Sequence, residues 1–384
     1  MDFFTTYNEH HLKVIDVLKK ALYQKDNAIF DKLDFYDDAI FSEPLLFSCI
    51  NNKYEEWIDT LVFSLSKNKE SLNSIYTTAI EEQIIYLPNL GYLKLNEKYS
   101  KKIQLKYITD SIHLLDEDNN SLDHEFQPLI KNEDGIEFLQ CTHPLLKPLF
   151  IDEQGKITEI LINENLYKKH IRHFNSALKA IKRIYPDYYN LVKKHIKKVV
   201  FYQGEANSFA TIKAHGIAFF NVQDNYNEVF FLDNIIHQCA HVFFNALTME
   251  KKELFAIPYN SDLSLFTGEK EDRGIILYHR FHGLFTQTNI NICIEKCIAQ
   301  KVFEGDKHFE LLGRFTSNMN RFSTAINKFN HPDKYGKDGL KWYSFFRKTY
   351  EDIYNRNRDL LAEYNVSNQP YVFDYKIFKS SNKS

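Results

Sequence analysis

The chain of 384 residues has only five cysteines, three methionines, two tryptophans, nine prolines and 12 glycines. The five thiols, Cys49, Cys141, Cys239, Cys293 and Cys297, are odd in number and scattered. That rules against a disulfide framework and fits a reducing cytoplasm. Cys293 and Cys297, four apart in a helical pattern, read as packed thiols. No run approaches the roughly 18 apolar residues a membrane-spanning helix needs. The opening residues mix charges into their apolar positions and offer no secretory leader, so no membrane partner is expected. A surplus of one charge is missing too: 48 basic and 51 acidic residues leave a formal net charge of -3. That balance excludes the basic footprint of a nucleic-acid binder. Internal repeats and low-complexity tracts are also lacking.

What remains has the balance of a soluble globular protein, with 44% hydrophobic and 26% charged residues. The 32 phenylalanines and 24 tyrosines supply ample material for a peptide-binding groove. Apolar periodicity predicts helices over 8–24 and 53–68, the second around Trp57, Leu61, Val62 and Leu65. Pro88 to Gly91 reads as a turn between two short strands, IIYL and YLKL. The polar stretch 111–135 reads as a loop. From residue 162 come two helices separated at Pro186, strands over 198–203 and 215–222, and helices over 229–248, 272–302, 306–328 and 338–364. The expected class is α+β and mostly α-helical, a helical metal-binding core with a small β element. An N-terminal α-rich region over 1–150 is a candidate peptide-recognition or partner module. The metal-binding catalytic domain is expected over 151–384.

Chemistry concentrates in FLDNIIHQCAHVFFNAL, residues 231–247. His237 and His241 stand four apart, so both imidazoles project from one helix face one turn from each other, the spacing that chelates a transition metal. The plain alternative is a pair of core histidines bonded to carbonyls. In zinc peptidases the residue after the first histidine is a glutamate that deprotonates metal-bound water. Here it is Gln238, an amide that cannot take that proton, so a working protease is not expected. Non-haem Fe(II) chemistry needs open metal positions and no such base. For the third ligand His282 is favoured and His279 is the alternate, with Glu271 and Asp272 as possible oxygen donors. Gly283 beside His282 would allow close helix approach. Two or three imidazoles also accept zinc.

The order of these segments resembles the HExxH-type 2-oxoglutarate-dependent peptide β-hydroxylases found with ribosomally made, post-translationally modified peptides. The segments are IKRIYPDYYNLVKKHIKKVVFY, NSFAT, HGIAFFN, IIHQCAHVFFNAL and YHRFHGLF, covering about residues 160–310. The resemblance implies Fe(II) on His237, His241 and a third histidine falling on His282. It implies 2-oxoglutarate as co-substrate and β-hydroxylation of a side chain in a precursor peptide. Gln238 departs from the family's glutamate and can still hydrogen-bond there. The co-substrate carboxylate calls for an arginine. Arg273 and Arg280, seven apart, are expected to share a helix face, and Ser208 and Thr211 could add hydroxyls. Two other readings stand beside this one: a degenerate zinc-peptidase-like protein that binds peptides without cutting them, and a metal-free scaffold. Oligomeric state is open.

Overall fold

A computed structural model describes residues 2–52, 54–72, 75–80, 83–152 and 154–382. The helices are α1 (Phe3–Lys25), α2 (Ile29–Lys32), α3 (Pro44–Asn51), α4 (Tyr54–Leu65), α5 (Glu164–Ile184), α6 (Pro186–His195) and α7 (Glu228–Leu247). They continue as α8 (Leu263–Thr267), α9 (Leu277–Ala299), α10 (Gly305–Lys328), α11 (Lys337–Glu363) and α12 (Tyr375–Ser381). The protein is α+β and mostly helical, with small sheets. Among the described residues no helix is long and apolar enough to cross a membrane.

Local chemistry accounts for most boundaries. Helix α4 buries Trp57, Leu61, Val62 and Leu65 on one stripe, as their spacing dictates. Pro186 ends α5 because it cannot donate to the preceding turn, and it opens α6 because its missing N–H costs nothing there. Asn227 starts α7, its side chain accepting from the amides of Val229 and Phe230.

Strands β1 (Ile75–Thr77), β4 (Ile103–Ile108) and β5 (Ser111–Leu115) form one antiparallel sheet, ordered β1-β4-β5. Strands β2 (Ile84–Leu87), β3 (Gly91–Leu95) and β6 (His124–Pro128) form a second, ordered β2-β3-β6. The β2–β3 hairpin turns where Pro88 to Gly91 predicts, with Asn89 in the left-handed region. The third sheet runs β11 (Ile217–Asn221), β10 (Lys198–Gly204), β8 (Glu137–Phe138), β7 (Ile130–Lys131), and β9 (Ile160–Leu161) pairs with β10. Strands β10 and β11 are parallel, Val200 opposite Phe219. Residues 111–135 are therefore not the loop their polarity suggests. They hold β5, β6 and β7, and β6 is mostly exposed, so its pairing with β3 and not its own apolar pattern makes it a strand.

The chain separates into two compact units. The first comprises residues 1–7, 171–191 and 225–384, and the second 8–170 and 192–224. These are drawn from several segments each, where the sequence suggested one division near residue 150. All the strands lie in the second unit, and α7 to α12 lie in the first. In the second unit Lys198, 1% exposed, pairs with Glu43 at 3.0 Å and Glu137 at 2.9 Å, and Tyr86 donates its hydroxyl to Glu137.

Candidate metal centre

Within the first unit, α7 packs lengthwise against α9. Helix α7 is apolar almost all round, which forces it into the core and carries its two histidines with it. His237 and His241 share a face, with ring centroids 5.0 Å apart. His282, on the second turn of α9, meets them from the neighbouring helix. Its Nε2 lies 3.1 Å from Nδ1 of His241, and the two rings meet edge-on with centroids 4.6 Å apart. His282 is buried.

All three imidazoles are held neutral. Burial pushes His282 down to about 3, helped by His279 and Lys251. Burial also lowers His241, joined by His282 and His237. His237 is lowered by burial first, with Asp233 pulling the other way and Arg321 adding to the lowering. Neutral imidazole is the form that binds a metal.

As placed, His241 and His282 hydrogen-bond each other. Two nitrogens each about 2.1 Å from one ion, at roughly a right angle, stand about 3 Å apart. The His241–His282 pair has that separation at 3.1 Å, as a hydrogen bond between the two rings. Among the described residues no three His, Cys, Asp or Glu side chains converge as placed to hold an ion. His237 stands beside the pair, its ring centroid 5.0 Å from that of His241. Gln238 is buried, and its Oε1 has no hydrogen-bond partner among the described residues. A buried carbonyl left that way is costly, and a donor supplied by a ligand or water would remove the cost.

The other expected residues sit elsewhere. His279 is exposed on the first turn of α9 and reaches the pair through its charge, with no ring contact to His241 or His282. Glu271 is exposed. Asp272 is buried but committed, accepting from Thr267 at 2.7 Å and from Lys328 at 2.6 Å. Arg273 and Arg280 do not share a helix face. Arg273 has extended backbone and Gly274 a φ of 78°, which together delay α9 until Leu277, so the helix does not begin at 272. Both arginines are exposed. Ser208 and Thr211 lie in the second unit, where the Ser208 hydroxyl accepts the amide of Asn221 at 2.9 Å and the Thr211 side chain caps a short turn by accepting the amide of Lys213. Gly283 permits no close approach, because a Cβ built there meets nothing within 4 Å. Gly283→Ala is therefore expected to stabilise the chain by about 0.5–1 kcal/mol, since it removes glycine from a helix interior at no steric cost. A fall in the denaturant midpoint would contradict this.

Sequence reasoning missed the buried charges next to His237. Asp233 lies one turn before it on α7 and accepts from Arg314 at 3.1 Å, and Arg314 also binds Glu310 at 2.9 Å. The i, i+4 spacing of Asp233 and His237 was visible, but the partners come from α10, about eighty residues on. A cleft of about 600 Å³ near the start of α7, lined by Lys179, Arg183, Glu228 and Lys307 among others, includes none of the histidines.

No protein-family model and no curated protein matches this chain.

Proposed function

We propose that the chain is a non-haem Fe(II), 2-oxoglutarate-dependent oxygenase that hydroxylates a side-chain β-carbon in a ribosomally made peptide, working in a reducing cytoplasm. The observation that carries the metal part is the meeting of His241 and His282 across α7 and α9, with His237 beside them. His237, His241 and His282 would hold the metal. Iron bound there supplies the activation of O₂, one oxygen atom entering the peptide and the other entering succinate as 2-oxoglutarate loses CO₂.

The chain's own residues supply the setting. Gln238 takes no proton, so the site lacks the base that peptide hydrolysis needs. Phe244, Tyr278 and Phe285 pack around His282 and its neighbours, limiting water at that end. Arg321, which donates to the Pro370 carbonyl at 3.0 Å, carries a charge that acts on His237. All five cysteines are buried and unbridged, in keeping with a reducing compartment. The oxygenase and peptide parts of the reading rest on the segment order over residues 160–310.

Anaerobic titration with Fe(II) tests the reading. One ion is expected per chain, and His237→Ala and His282→Ala should each weaken binding by about a hundredfold or more. Adding 2-oxoglutarate, O₂ and peptide should yield succinate and a peptide heavier by one oxygen. Zinc held without succinate formation would turn the reading to a peptidase-like peptide binder. No metal uptake by the native chain would end it.

A further inference from the structure

We propose that the cleft between α5 and the link from α9 to α10 binds a zwitterionic ligand of dipeptide size, its carboxylate on Arg183, its ammonium on Glu304 and an apolar side chain on Val302 and Phe303. The site lies in the first unit, shares no residue with the histidine cluster and stands whether or not those histidines hold a metal.

Two elements build the cleft. Ser176, Lys179, Ala180 and Arg183 recur at helical spacing, so they line it as one stripe of α5. The link supplies Val302, Phe303 and Glu304, and its shape is set by the end of α9. The amide of Val302 donates to the carbonyl of Cys297 at 3.0 Å and that of Lys301 to the carbonyl of Ile298 at 3.1 Å, with Lys301 left-handed at a φ of 47°. This double closure is a common way for a helix to end, and it fixes the direction in which the next residues leave. Glu304 then starts α10. At about 600 Å³ the cleft falls within the roughly 300–1,000 Å³ of small-molecule sites.

The charges decide what it takes. Glu228 is already engaged, accepting from Lys307 and lying 2.9 Å from Nδ1 of His173. Arg183 and Glu304 are not. Among the described residues neither side chain has an ion pair or a hydrogen bond, although both line the same cleft. Opposite charges that share a cleft without pairing leave a gap that a molecule carrying both charges can bridge. Lys179, one turn before Arg183, adds a second positive charge on the carboxylate side. Phe303 is half-buried and has no ring partner among the described residues, which leaves its face for an apolar group. An arginine at the end of one helix and a glutamate at the start of another also suit the helix dipoles. That accounts for each charge singly and not for their convergence on one apolar-lined cleft.

Calorimetry and ligand-observed NMR on the full chain, with glycyl-phenylalanine as the probe, test this. Binding is expected at about 1 mM or tighter. Removing one charge of the probe, as its N-acetyl form or its C-terminal amide, should weaken binding about three- to tenfold. Arg183→Gln should weaken the uncapped dipeptide by the same factor and abolish the preference for it over the amide. Glu304→Gln should abolish the preference for it over the N-acetyl form. Both residues are exposed, so both variants should melt as the native chain does. No binding at about 10 mM would overturn the proposal. So would equal binding of either capped probe, or undiminished binding in either variant.

Discussion

Acidification from about pH 7.5 to about pH 5 is expected to unfold the unit that carries His11, His143, His195 and His215. All four are buried there, between 1% and 8% exposed. His11 lies edge-on to His195 with centroids 4.3 Å apart, and its Nδ1 is 3.4 Å from Nε2 of His215. Burial pushes His11 down to about 4, His143 to about 3, His195 to about 2 and His215 to about 3. Lys194 and Lys197 press His11 and His195 further in the same direction, and Asp38 opposes them at His11. Folded-state values below the unfolded one of about 6.5 mean that the unfolded chain takes up protons first. The stabilisation is therefore full above about pH 6.5 and declines as the pH falls toward the folded values. At about pH 5 each residue costs about 2 kcal/mol, and four cost about 8, inside the roughly 5–15 kcal/mol that holds a domain together. Urea titrations across this range check it. A midpoint that does not move between the two pH values would refute the burial argument. His143→Phe and His215→Asn should each flatten the dependence by about a quarter.

Lys198→Met is expected to be the most damaging single substitution in the second unit. Lys198 opens β10 beneath Glu43, which caps α3 by accepting the amide of Leu45 at 3.1 Å, and beside Glu137 on β8. Burial opposes its charge, but Glu43 and Glu137 outweigh that and raise its pKa. Burial raises the pKa of Glu43 in turn, against the pull of Lys198. Removing the ammonium leaves two buried carboxylates facing each other without the cation they both bind. The loss of one partner from a buried ion pair costs about 3–5 kcal/mol. The triple variant Lys198→Met, Glu43→Gln, Glu137→Gln removes the surplus charge and should recover much of that. Equal stability of the single variant and the native chain in chemical denaturation would show that the cluster contributes nothing.

These two cases show how legibility divides along the chain. The hairpin at Pro88–Gly91, the stop at Pro186 and the stripe around Trp57 were readable because each is set by a few neighbouring residues: a turn, a missing donor, a 3.6-residue repeat. The strand β6 was not, since Phe126 points its apolar ring outward, 53% exposed, and nothing in HEFQP alternates toward a core. The pairing partner that makes it a strand lies some thirty residues earlier. Arg273 and Arg280 failed for a smaller reason, one left-handed glycine shifting a helix start by a few residues.

By itself the sequence determined which helix would carry His237 and His241 on one face, and that Gln238 could not serve as a base, because both follow from short-range geometry and from functional-group chemistry. Only the tertiary structure decided that His282 and not His279 turns inward to meet His241, because α9 begins at Leu277 and packs that face of its second turn against α7. The same packing set Arg314 against Asp233 across more than eighty residues, a meeting that no local pattern encodes because it depends on where two helices cross.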